Sequence, residues 1–289
     1  MGGTRCPLRF PGAASVGGDR REDPFMIAII GAGKMGEALL AGMLAKGHAP
    51  EDVLVTEPRA EHAAELRERY GVEVVPAAEA AKRADTLLLA LKPQDMVALL
   101  DEITPHLGHG RLVISVAAGL TTAVLESHLP PGTPVVRAMP NTPALMGQGM
   151  TAVAGGAHTG PAHLERAESL LGTVGEVIRV GEQHMDTVTA ISGSGPAYFY
   201  FIAETMIEAG VAMGMPRATA QKLVGQTITG AAAMLNGSGE HPVVLREAVT
   251  SPGGTTAAAL RELERHGVRA AFTDAIEAAR DRSSALSGN

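Results

Sequence analysis

The sequence predicts an α/β protein in which a doubly wound sheet is followed by an all-helical region. Two observations lead to this fold class. Short strand patterns alternate with helical patterns from residue 26 to about residue 180, and strand patterns stop from Met185 onward. Alternating strands and helices favour a parallel sheet with helices on both faces. We therefore predict one domain over residues 26–182 and a helical domain over residues 183–289.

A glycine motif joins the first strand to the first helix. Residues 27–30 form a β-branched run, and apolar residues recur at helical spacing over residues 38–44. Between them lies Gly31-x-Gly33-x-x-Gly36. In such a motif the first glycine makes a tight turn, the second lets a pyrophosphate approach the backbone, and the third lets the helix pack on its strand. The motif predicts a Rossmann-type dinucleotide site; the alternative is a glycine turn without a ligand.

Composition argues against several classes of protein. The 289 residues include 24 basic and 31 acidic side chains, a net charge of −7, so no face for nucleic acid is expected. No apolar run approaches the ~18 residues of a membrane span, and the ten histidines lack metal-ligand spacing, so we expect a soluble protein without a metal. The single Cys6 cannot form an internal disulfide, which favours a reducing, cytoplasmic location. Residues 1–25 are predicted to be a disordered lead-in.

The second strand ends in two residues with opposite implications for the cofactor. Strand patterns over residues 53–56 and 72–75 flank a helical pattern over residues 60–70. At the end of such a second strand, an acidic residue favours a free ribose 2′-hydroxyl and an arginine favours a 2′-phosphate. Glu57 and Arg59 are both present, so the choice between NADH and NADPH stays open.

The next two strands are predicted to end beside the cofactor. Residues 85–91 form the most apolar strand and run into Lys92 and Pro93, where Pro93 suits the first turn of a helix. Residues 112–116 end in the small residues 117–119. Ligands of doubly wound sheets bind at the carboxyl ends of the strands. Small side chains there let a nicotinamide lie against the backbone, although close helix packing explains them equally well.

The rest of the first domain includes a stiff loop. Residues 135–139 form a strand that leads into Pro140-Asn141-Thr142-Pro143. Asn141 is either a ligand for the substrate or nicotinamide amide, or a turn asparagine. Further patterns predict strands over residues 151–155 and 176–180 and a helix over residues 161–171.

The helical region contains a helix that is apolar almost all round. Residues 196–213 are interrupted mainly by Glu204, Thr205 and Glu208. A helix of this kind must be buried on every side, which a small helical domain cannot provide within one chain. We therefore infer a subunit interface through this helix. Helical patterns over residues 217–235 and 255–281 fit the same close packing.

Two glycine-rich helix starts lie in the helical region. After Pro252, Gly253 and Gly254 permit unusual backbone angles, and Thr255 or Thr256 can cap the following helix. Free N–H groups at such a start can bind a carboxylate. An ordinary helix start is the alternative. The segment Ser192-Gly-Ser-Gly-Pro196 has the same features, with a hydroxyl cap and a proline in the first turn.

Five motifs together resemble the pyrroline-5-carboxylate reductases, with the same order and spacing over residues 26 to about 285. The most specific is the Val-Thr-Ser-Pro-Gly-Gly-Thr-Thr core that ends at Thr256. The others are Ala138-Met-Pro-Asn-Thr-Pro143, Ser192-Gly-Ser-Gly-Pro196, Leu91-Lys-Pro93 and Ser115-Val-Ala-Ala-Gly119.

The resemblance implies reduction of Δ1-pyrroline-5-carboxylate to L-proline by NADPH or NADH, the last step of proline biosynthesis. It also implies a Rossmann-type domain followed by a helical domain that forms a homodimer, with larger assemblies of dimers common. The matching cofactor positions are Ile30, Gly31, Ala32, Gly33, Lys34, Met35 and Gly36 at the pyrophosphate and Ala90, Leu91, Lys92, Pro93, Val116, Ala117 and Ala118 beside the nicotinamide half. The strand pattern adds Glu57 and Arg59 at the ribose. The matching substrate positions are Ser251, Gly253, Gly254, Thr255 and Thr256, together with Glu182.

The resemblance suggests a catalytic role for one hydroxyl and has two departures. Thr256 matches the position that faces the ring nitrogen, and our hypothesis is that it positions this nitrogen and relays or stabilises its proton. Glu57 and Pro58 stand where some members have hydroxyls that favour a 2′-phosphate, and Ala248 replaces a cofactor-contacting asparagine.

Two other functions are weighed against this one. A β-hydroxyacid dehydrogenase shares a similar first motif but relies on a catalytic lysine after a glycine-rich turn. Here no lysine follows Ser192-Gly-Ser-Gly before Lys222. A non-catalytic redox sensor would bind the dinucleotide but has no use for a second anion pocket, and a turnover assay separates it from the enzymes.

Overall fold

The computed structural model describes residues 25–286. Residues 1–24 of the predicted lead-in, with Cys6, lie outside the described residues. The prediction of disorder is wrong for residue 25, because Phe25 packs against the core. Within them the strands are β1 (Ile27–Ile30), β2 (Val53–Thr56), β3 (Glu73–Val74), β4 (Thr86–Leu89), β5 (Leu112–Ser115), β6 (Val135–Met139), β7 (Gly149–Gly155) and β8 (Gly175–Arg179). The helices are α1 (Lys34–Ala45), α2 (Ala60–Tyr70), α3 (Ala77–Arg83), α4 (Pro93–Ile103), α5 (Thr122–Ser127), α6 (Pro161–Leu171), α7 (Met185–Val188), α8 (Gly195–Ala212), α9 (Arg217–Gly237), α10 (Pro242–Ala248), α11 (Thr255–Arg265) and α12 (Val268–Leu286).

The described chain separates into two compact units. The first contains residues up to Gly193 together with those from Arg280 onward, and the second contains Ser194–Ala279. The first unit holds the whole sheet, and the second is helical. The predicted order of an α/β region and a helical region is therefore confirmed.

The sheet has the strand order β3-β2-β1-β4-β5-β6-β7-β8. Pairing from β3 to β6 is parallel, as predicted. The prediction of a parallel sheet is wrong for the last two strands, because β7 runs antiparallel to β6 and β8 runs parallel to β7. Residues 140–148, which link β6 to β7, contain only a 3-10 turn over Thr142–Met146. A parallel return needs a crossover of about a dozen residues or more, so this short link forces the reversal.

The alternating residues of the strands enter two separate cores. Ile27 and Ile29 pack into one cluster with side chains of α1, whereas Ala28 and Ile30 pack into another with side chains of α3 and α4. Side chains of successive residues in a strand point to opposite faces, so helices cover the sheet on both faces. This arrangement confirms the doubly wound architecture, and it leaves the strand ends as the place for a ligand.

The second unit has a small apolar core. Within residues 194–279 the buried hydrophobic side chains are Ala220 and Val224. By contrast, three consecutive aromatic residues of α8 are largely exposed: Phe199 at 62%, Tyr200 at 65% and Phe201 at 69%. Consecutive residues of a helix point about 100° apart, so apolar side chains are exposed around much of α8, and exposed apolar surface of this kind marks a region of interaction. Among the described residues, no helix is both long and apolar enough to cross a membrane.

Candidate active site

The glycine turn between β1 and α1 is built as its motif predicts. Gly31 has a φ of +97° and donates its N–H to the Thr56 carbonyl oxygen at 3.0 Å. A Cβ on Gly36 would collide with the Gly31 carbonyl oxygen, so only glycine lets α1 press on the turn. A Cβ on Gly33 would meet no atom within 4 Å, so an open space lies beside the backbone there. The turn therefore offers an open cradle at a helix start, which fits a pyrophosphate.

The predicted pyrophosphate residues contribute mainly through their backbone. Ile30 and Ala32 are buried, and Met35 packs against the core, so their side chains are already used by the fold. Gly33 precedes α1 and has no side chain to cap the first-turn N–H groups. Lys34, the first residue of α1, is exposed. Uncapped backbone amides and an exposed cation thus lie together at the start of α1, an arrangement that favours an anion.

The strand ends after β4 and β5 meet the glycine turn, as predicted. Ala90 donates its N–H to the Ile30 carbonyl oxygen at 2.8 Å, and Val116 donates its N–H to the Leu89 carbonyl oxygen at 3.0 Å. A Cβ on Gly31 would lie 2.9 Å from the Ala90 carbonyl oxygen. The predicted cofactor residues 90–93 and 116–118 therefore share one edge of the sheet with the turn.

The residues that follow β4 and β5 at this edge differ in burial and in their role in packing. Pro93 begins α4, as predicted, with Lys92 as the residue before it. Ala117 is 3% exposed, and Ala118 is half-buried. Gly119 has a φ of +75° and lies next to Leu286, so a Cβ on it would be 3.4 Å from the Leu286 Cβ. For Gly119 close packing is thus the better explanation, whereas Ala118 remains available to a ligand.

Glu57 and Arg59 form an ion pair at the end of β2. The Arg59 Nε and Nη2 atoms donate to the two carboxylate oxygens of Glu57 at 2.8 and 3.0 Å. The hydrogen bond from the Arg59 side chain lowers the pKa of Glu57 in spite of the opposing effect of burial. Both residues are therefore charged. The two side chains with opposite implications for the cofactor are in direct contact with each other.

His62 also belongs to this site and was not predicted. Its Nε2 atom lies 2.9 Å from the Ala32 carbonyl oxygen, and its Nδ1 atom lies 3.3 Å from a Glu65 carboxylate oxygen. Partial burial disfavours the charged ring. The hydrogen bonds to Ala32 and Glu65, with the attraction of Glu57, outweigh it and raise the pKa of His62. The ring ties α2 to the glycine turn, a contact across 30 positions for which sequence spacing contains no signal.

Asn141 has a structural role. Its side-chain Nδ2 donates to the Ser192 carbonyl oxygen at 3.0 Å, and its Oδ1 accepts the Met150 N–H at 2.9 Å. Both ends of the amide thus join the loop after β6 to β7 and to the π-helical turn Thr189–Gly193. Of the two alternatives from the sequence, the structure favours the turn asparagine.

Glu182 lies in a partly buried network with Arg137. The Arg137 Nη1 atom donates to Glu182 Oε1 at 2.9 Å, and the Thr122 N–H donates to the same oxygen at 3.2 Å. Arg137 Nη2 lies 3.9 Å from Asp186, which accepts a hydrogen bond from Ser283 at 2.8 Å. Glu182 Oε2 has no hydrogen-bond partner among the described residues. One oxygen of Glu182 is therefore used by the fold.

The second glycine-rich helix start has the predicted backbone but not the predicted cap. Gly253 has a φ of +69°, and Gly254 donates its N–H to the Ser251 carbonyl oxygen at 3.0 Å. The prediction that Thr255 or Thr256 caps α11 is wrong: Gly254 is the cap, and the two threonines are the first helical residues. The start therefore lacks a side-chain cap, and the half-buried Thr256 lies in its first turn.

The start of α8 differs from its prediction in the same way. Ser194 precedes the helix but makes no side-chain cap hydrogen bond, because its backbone is already helical, with φ −84° and ψ −22°. A capping side chain needs an extended backbone at that position. Pro196 lies in the first turn, as predicted.

Comparison with known proteins matches both parts of the chain. Residues 182–286 match the family model for pyrroline-5-carboxylate reductase dimerisation, and residues 26–119 match a model for NADP oxidoreductases that are coenzyme F420-dependent. A pyrroline-5-carboxylate reductase of Corynebacterium melassecola is 46% identical over 264 residues, covering 90% of this chain and 98% of the relative.

Solved structures agree with this match. A pyrroline-5-carboxylate reductase from Coxiella burnetii superposes with a TM-score of 0.88 at 36% identity, covering 92% of this chain and 99% of the other. The pyrroline carboxylate reductase of Plasmodium falciparum, solved with NADP bound, gives a TM-score of 0.81 at 30% identity, covering 91% and 98%. These matches decide against a β-hydroxyacid dehydrogenase. The chain belongs to the pyrroline-5-carboxylate reductases, the oxidoreductases that reduce Δ1-pyrroline-5-carboxylate to L-proline with a nicotinamide cofactor.

Proposed function

We propose that residues 26–182 bind NADPH or NADH and that residues 183–289 bind the substrate and form the dimer. The observation that carries the first assignment is the open cradle at Gly33, where the backbone is bare and the first turn of α1 has no side-chain cap. The bound nicotinamide supplies the hydride, and the protein supplies position and charge. Backbone amides from Gly31 to Gly36 hold the pyrophosphate, with Lys34 beside them, while residues 90–93 and 116–118 border the nicotinamide half.

The uncapped start of α11 is the proposed place for the substrate carboxylate. Gly253 and Gly254 shape the turn, and a Cβ on Gly254 would displace the Ser251 hydroxyl and lie 3.2 Å from the Ser251 carbonyl oxygen, so a larger residue would crowd the turn. First-turn N–H groups without a side-chain cap suit a carboxylate. Ser251 and Thr255 stand on either side of this turn as further hydrogen-bonding groups. Oε2 of Glu182 is buried without a hydrogen-bond partner in the described part of the chain, and we assign it as the acceptor for the amino group of a bound amino acid.

Thr256 is the proposed catalytic residue. The reaction adds a hydride to the imine carbon and a proton to the ring nitrogen, so the nitrogen must be oriented and its positive charge stabilised. The Thr256 hydroxyl can accept a hydrogen bond from the protonated nitrogen and so hold the ring in a reactive position. No strong protein acid is needed, because protonation of the imine nitrogen itself makes the carbon electrophilic.

The exposed apolar side chains of the second unit support a subunit interface. Its helices leave Phe199, Tyr200 and Phe201 exposed in a single chain, and the matched family model describes dimerisation. We propose a homodimer formed through this face, with larger assemblies of dimers as an extension of it. We further propose a cytoplasmic enzyme whose partners are the imino acid and proline, with no nucleic acid and no membrane.

Steady-state kinetics test this function. NADPH and NADH oxidation is followed at 340 nm with pyrroline-5-carboxylate at several concentrations, and L-proline is measured as the product. Stoichiometric formation of proline is expected with at least one cofactor. Dinucleotide binding without turnover would favour the redox sensor instead and overturn the proposed activity. The Thr256→Ala variant provides a control with an intact cofactor site.

A further inference from the structure

The two charged residues after β2 differ sharply in exposure. The side chain of Glu57 is 3% exposed, whereas that of Arg59 is 65% exposed. Oε1 of Glu57 accepts hydrogen bonds from both the backbone N–H and Nε of Arg59, at 2.9 and 2.8 Å, and Oε2 accepts one from Nη2 at 3.0 Å. An enclosed carboxylate of this kind presents little surface to a ribose hydroxyl. The acidic residue therefore lies behind the arginine and does not compete with it for a ligand.

Arg59 retains hydrogen-bond donors after pairing with Glu57. A guanidinium has five N–H donors, and the ion pair uses one on Nε and one on Nη2. Nη1 forms no hydrogen bond with the described part of the chain, so both of its donors remain. Arginine suits phosphate because its planar group can donate two parallel hydrogen bonds. The ion pair also restricts the rotation of the guanidinium, so less freedom is lost when it binds a ligand.

The position of Arg59 matches the adenosine end of a bound dinucleotide. Thr56, at the end of β2, pairs with Ile30 of β1 and accepts the Gly31 N–H. The ribose that carries the 2′ position lies at the end of the second strand in this architecture. Three more basic side chains, Lys34, His62 and Arg69, line a neighbouring cavity of about 1240 Å³, which Arg59 itself does not line. Glu37, Glu65 and Glu68 line the same cavity, so recognition of a phosphate at the end of β2 depends on Arg59 and not on a general positive field in the cavity.

We propose that Arg59 makes the enzyme prefer NADPH over NADH by binding the 2′-phosphate, and that Glu57 is a positioning residue that holds the guanidinium for this contact. The proposal rests on the function proposed above, because it concerns the same cofactor site. It reverses the usual meaning of an acidic residue at the end of β2. Glu57 here supports recognition of the phosphate and is not the acceptor for a free 2′-hydroxyl.

Binding of cofactor fragments tests this selectivity without turnover. The dissociation constants of 2′,5′-ADP and 5′-AMP are measured by calorimetry for the wild type, Arg59→Met, Arg59→Lys and Glu57→Gln. Arg67→Met is the matched control, because Arg67 is an exposed arginine of α2, the helix that Arg59 precedes, and within the described residues its side chain bonds the Val74 carbonyl oxygen. KM values for NADPH and NADH are measured in parallel, and thermal unfolding verifies that each variant is folded.

The proposal predicts a selective loss. Arg59→Met should raise the dissociation constant of 2′,5′-ADP by about 10-fold or more, since a charged bidentate contact is lost, and that of 5′-AMP by less than about 2-fold. Arg59→Lys should fall between, because it keeps the charge without the planar fork. Glu57→Gln should raise the dissociation constant of 2′,5′-ADP by about 3-fold or more, because a neutral amide forms weaker hydrogen bonds with the guanidinium than a carboxylate does.

Two outcomes would overturn the proposed roles of Glu57 and Arg59. If Glu57→Gln binds 2′,5′-ADP as tightly as or more tightly than the wild type, the carboxylate repels the phosphate and does not position Arg59. If Arg59→Met keeps the ratio of the two fragment affinities, Arg59 does not select the cofactor. A selective loss in a protein that makes no proline would support the selectivity while refuting the proposed activity, so the two failures are distinguishable.

Discussion

Alanine at Gly36 should destabilise the first unit by distorting the glycine turn. A Cβ at this position would collide with the Gly31 carbonyl oxygen and lie 3.1 Å from its carbon and 3.4 Å from Ala90 Cβ. The obstacle is backbone, so the turn itself must move. Overpacking costs about 1–3 kcal/mol, of which about 0.5–1 kcal/mol is offset because alanine favours a helix over glycine. A net loss of about 0.5–2 kcal/mol lowers the melting temperature of a unit of this size by about 1–8 °C.

Alanine at Gly33 is the matched substitution that should spare the fold. The backbone there has φ −67° and ψ −173°, which alanine adopts readily, and a Cβ meets no atom within 4 Å. The same open space is the proposed approach of the pyrophosphate, so the methyl group should raise the Kd of NADPH about 10-fold or more, a loss of about 1.4 kcal/mol. Thermal unfolding and calorimetric titration of both variants check this. The reasoning fails if Gly36→Ala melts with the wild type, or if Gly33→Ala binds NADPH at full affinity.

Three further predictions concern other parts of the protein. Thr256→Ala should lower kcat with NADPH affinity unchanged, and Thr256→Ser should retain more activity than alanine; unchanged turnover removes this hydroxyl from the mechanism. Because the pKa of His62 is raised in the folded state, its stabilisation is fully present below the unfolded pKa and is lost as pH rises through the folded pKa. Urea unfolding should accordingly show His62→Gln to be more damaging at pH 5.5 than at pH 8.5. Arg137→Met should lower the free energy of unfolding, measured in urea, by about 2–3 kcal/mol. This is less than the about 3–5 kcal/mol of a fully buried pair, because the partly exposed Glu182 and Asp186 can rehydrate. Arg179→Met, which breaks an exposed pair with Glu168, should lower it by less than about 1 kcal/mol.

Local signals predicted the elements that carry strong boundary residues. The helix α2 ends where Gly71 adopts a left-handed conformation with φ +71°, and α6 begins at Pro161 in its first turn. Both helices have the predicted bounds. By contrast, α3 was missed because its apolar residues are only alanines, and burial of Ala80 and Ala81 in the core fixes it. The strand β7 was predicted but its antiparallel direction was not, because a strand pattern contains no direction.

In the candidate site, too, features set by local sequence could be predicted, and features set by distant partners could not. The glycine turn also contacts Thr56 and Ala90, but its backbone geometry is set by Gly31, Gly33 and Gly36 within one β-α unit, so it could be predicted from the motif. The roles of Asn141 and His62 depend on partners 51 and 30 positions away, which no spacing rule supplies. The threonine cap was predicted wrongly because a threonine and a glycine are both good cap residues, and tertiary structure decided between them.

The small core of the second unit has a consequence for stability and for catalysis together. Residues 194–279 bury only Ala220 and Val224 among their hydrophobic side chains, while the aromatic residues of α8 stay exposed. Burial of apolar surface is the main favourable term in folding, so a unit with so small a core depends on surface supplied from outside. The proposed substrate turn, with Gly253 and Thr256, lies in this same unit. Association that completes the core should therefore also fix the turn, because a helix start can hold a carboxylate in place only when its helix is itself held.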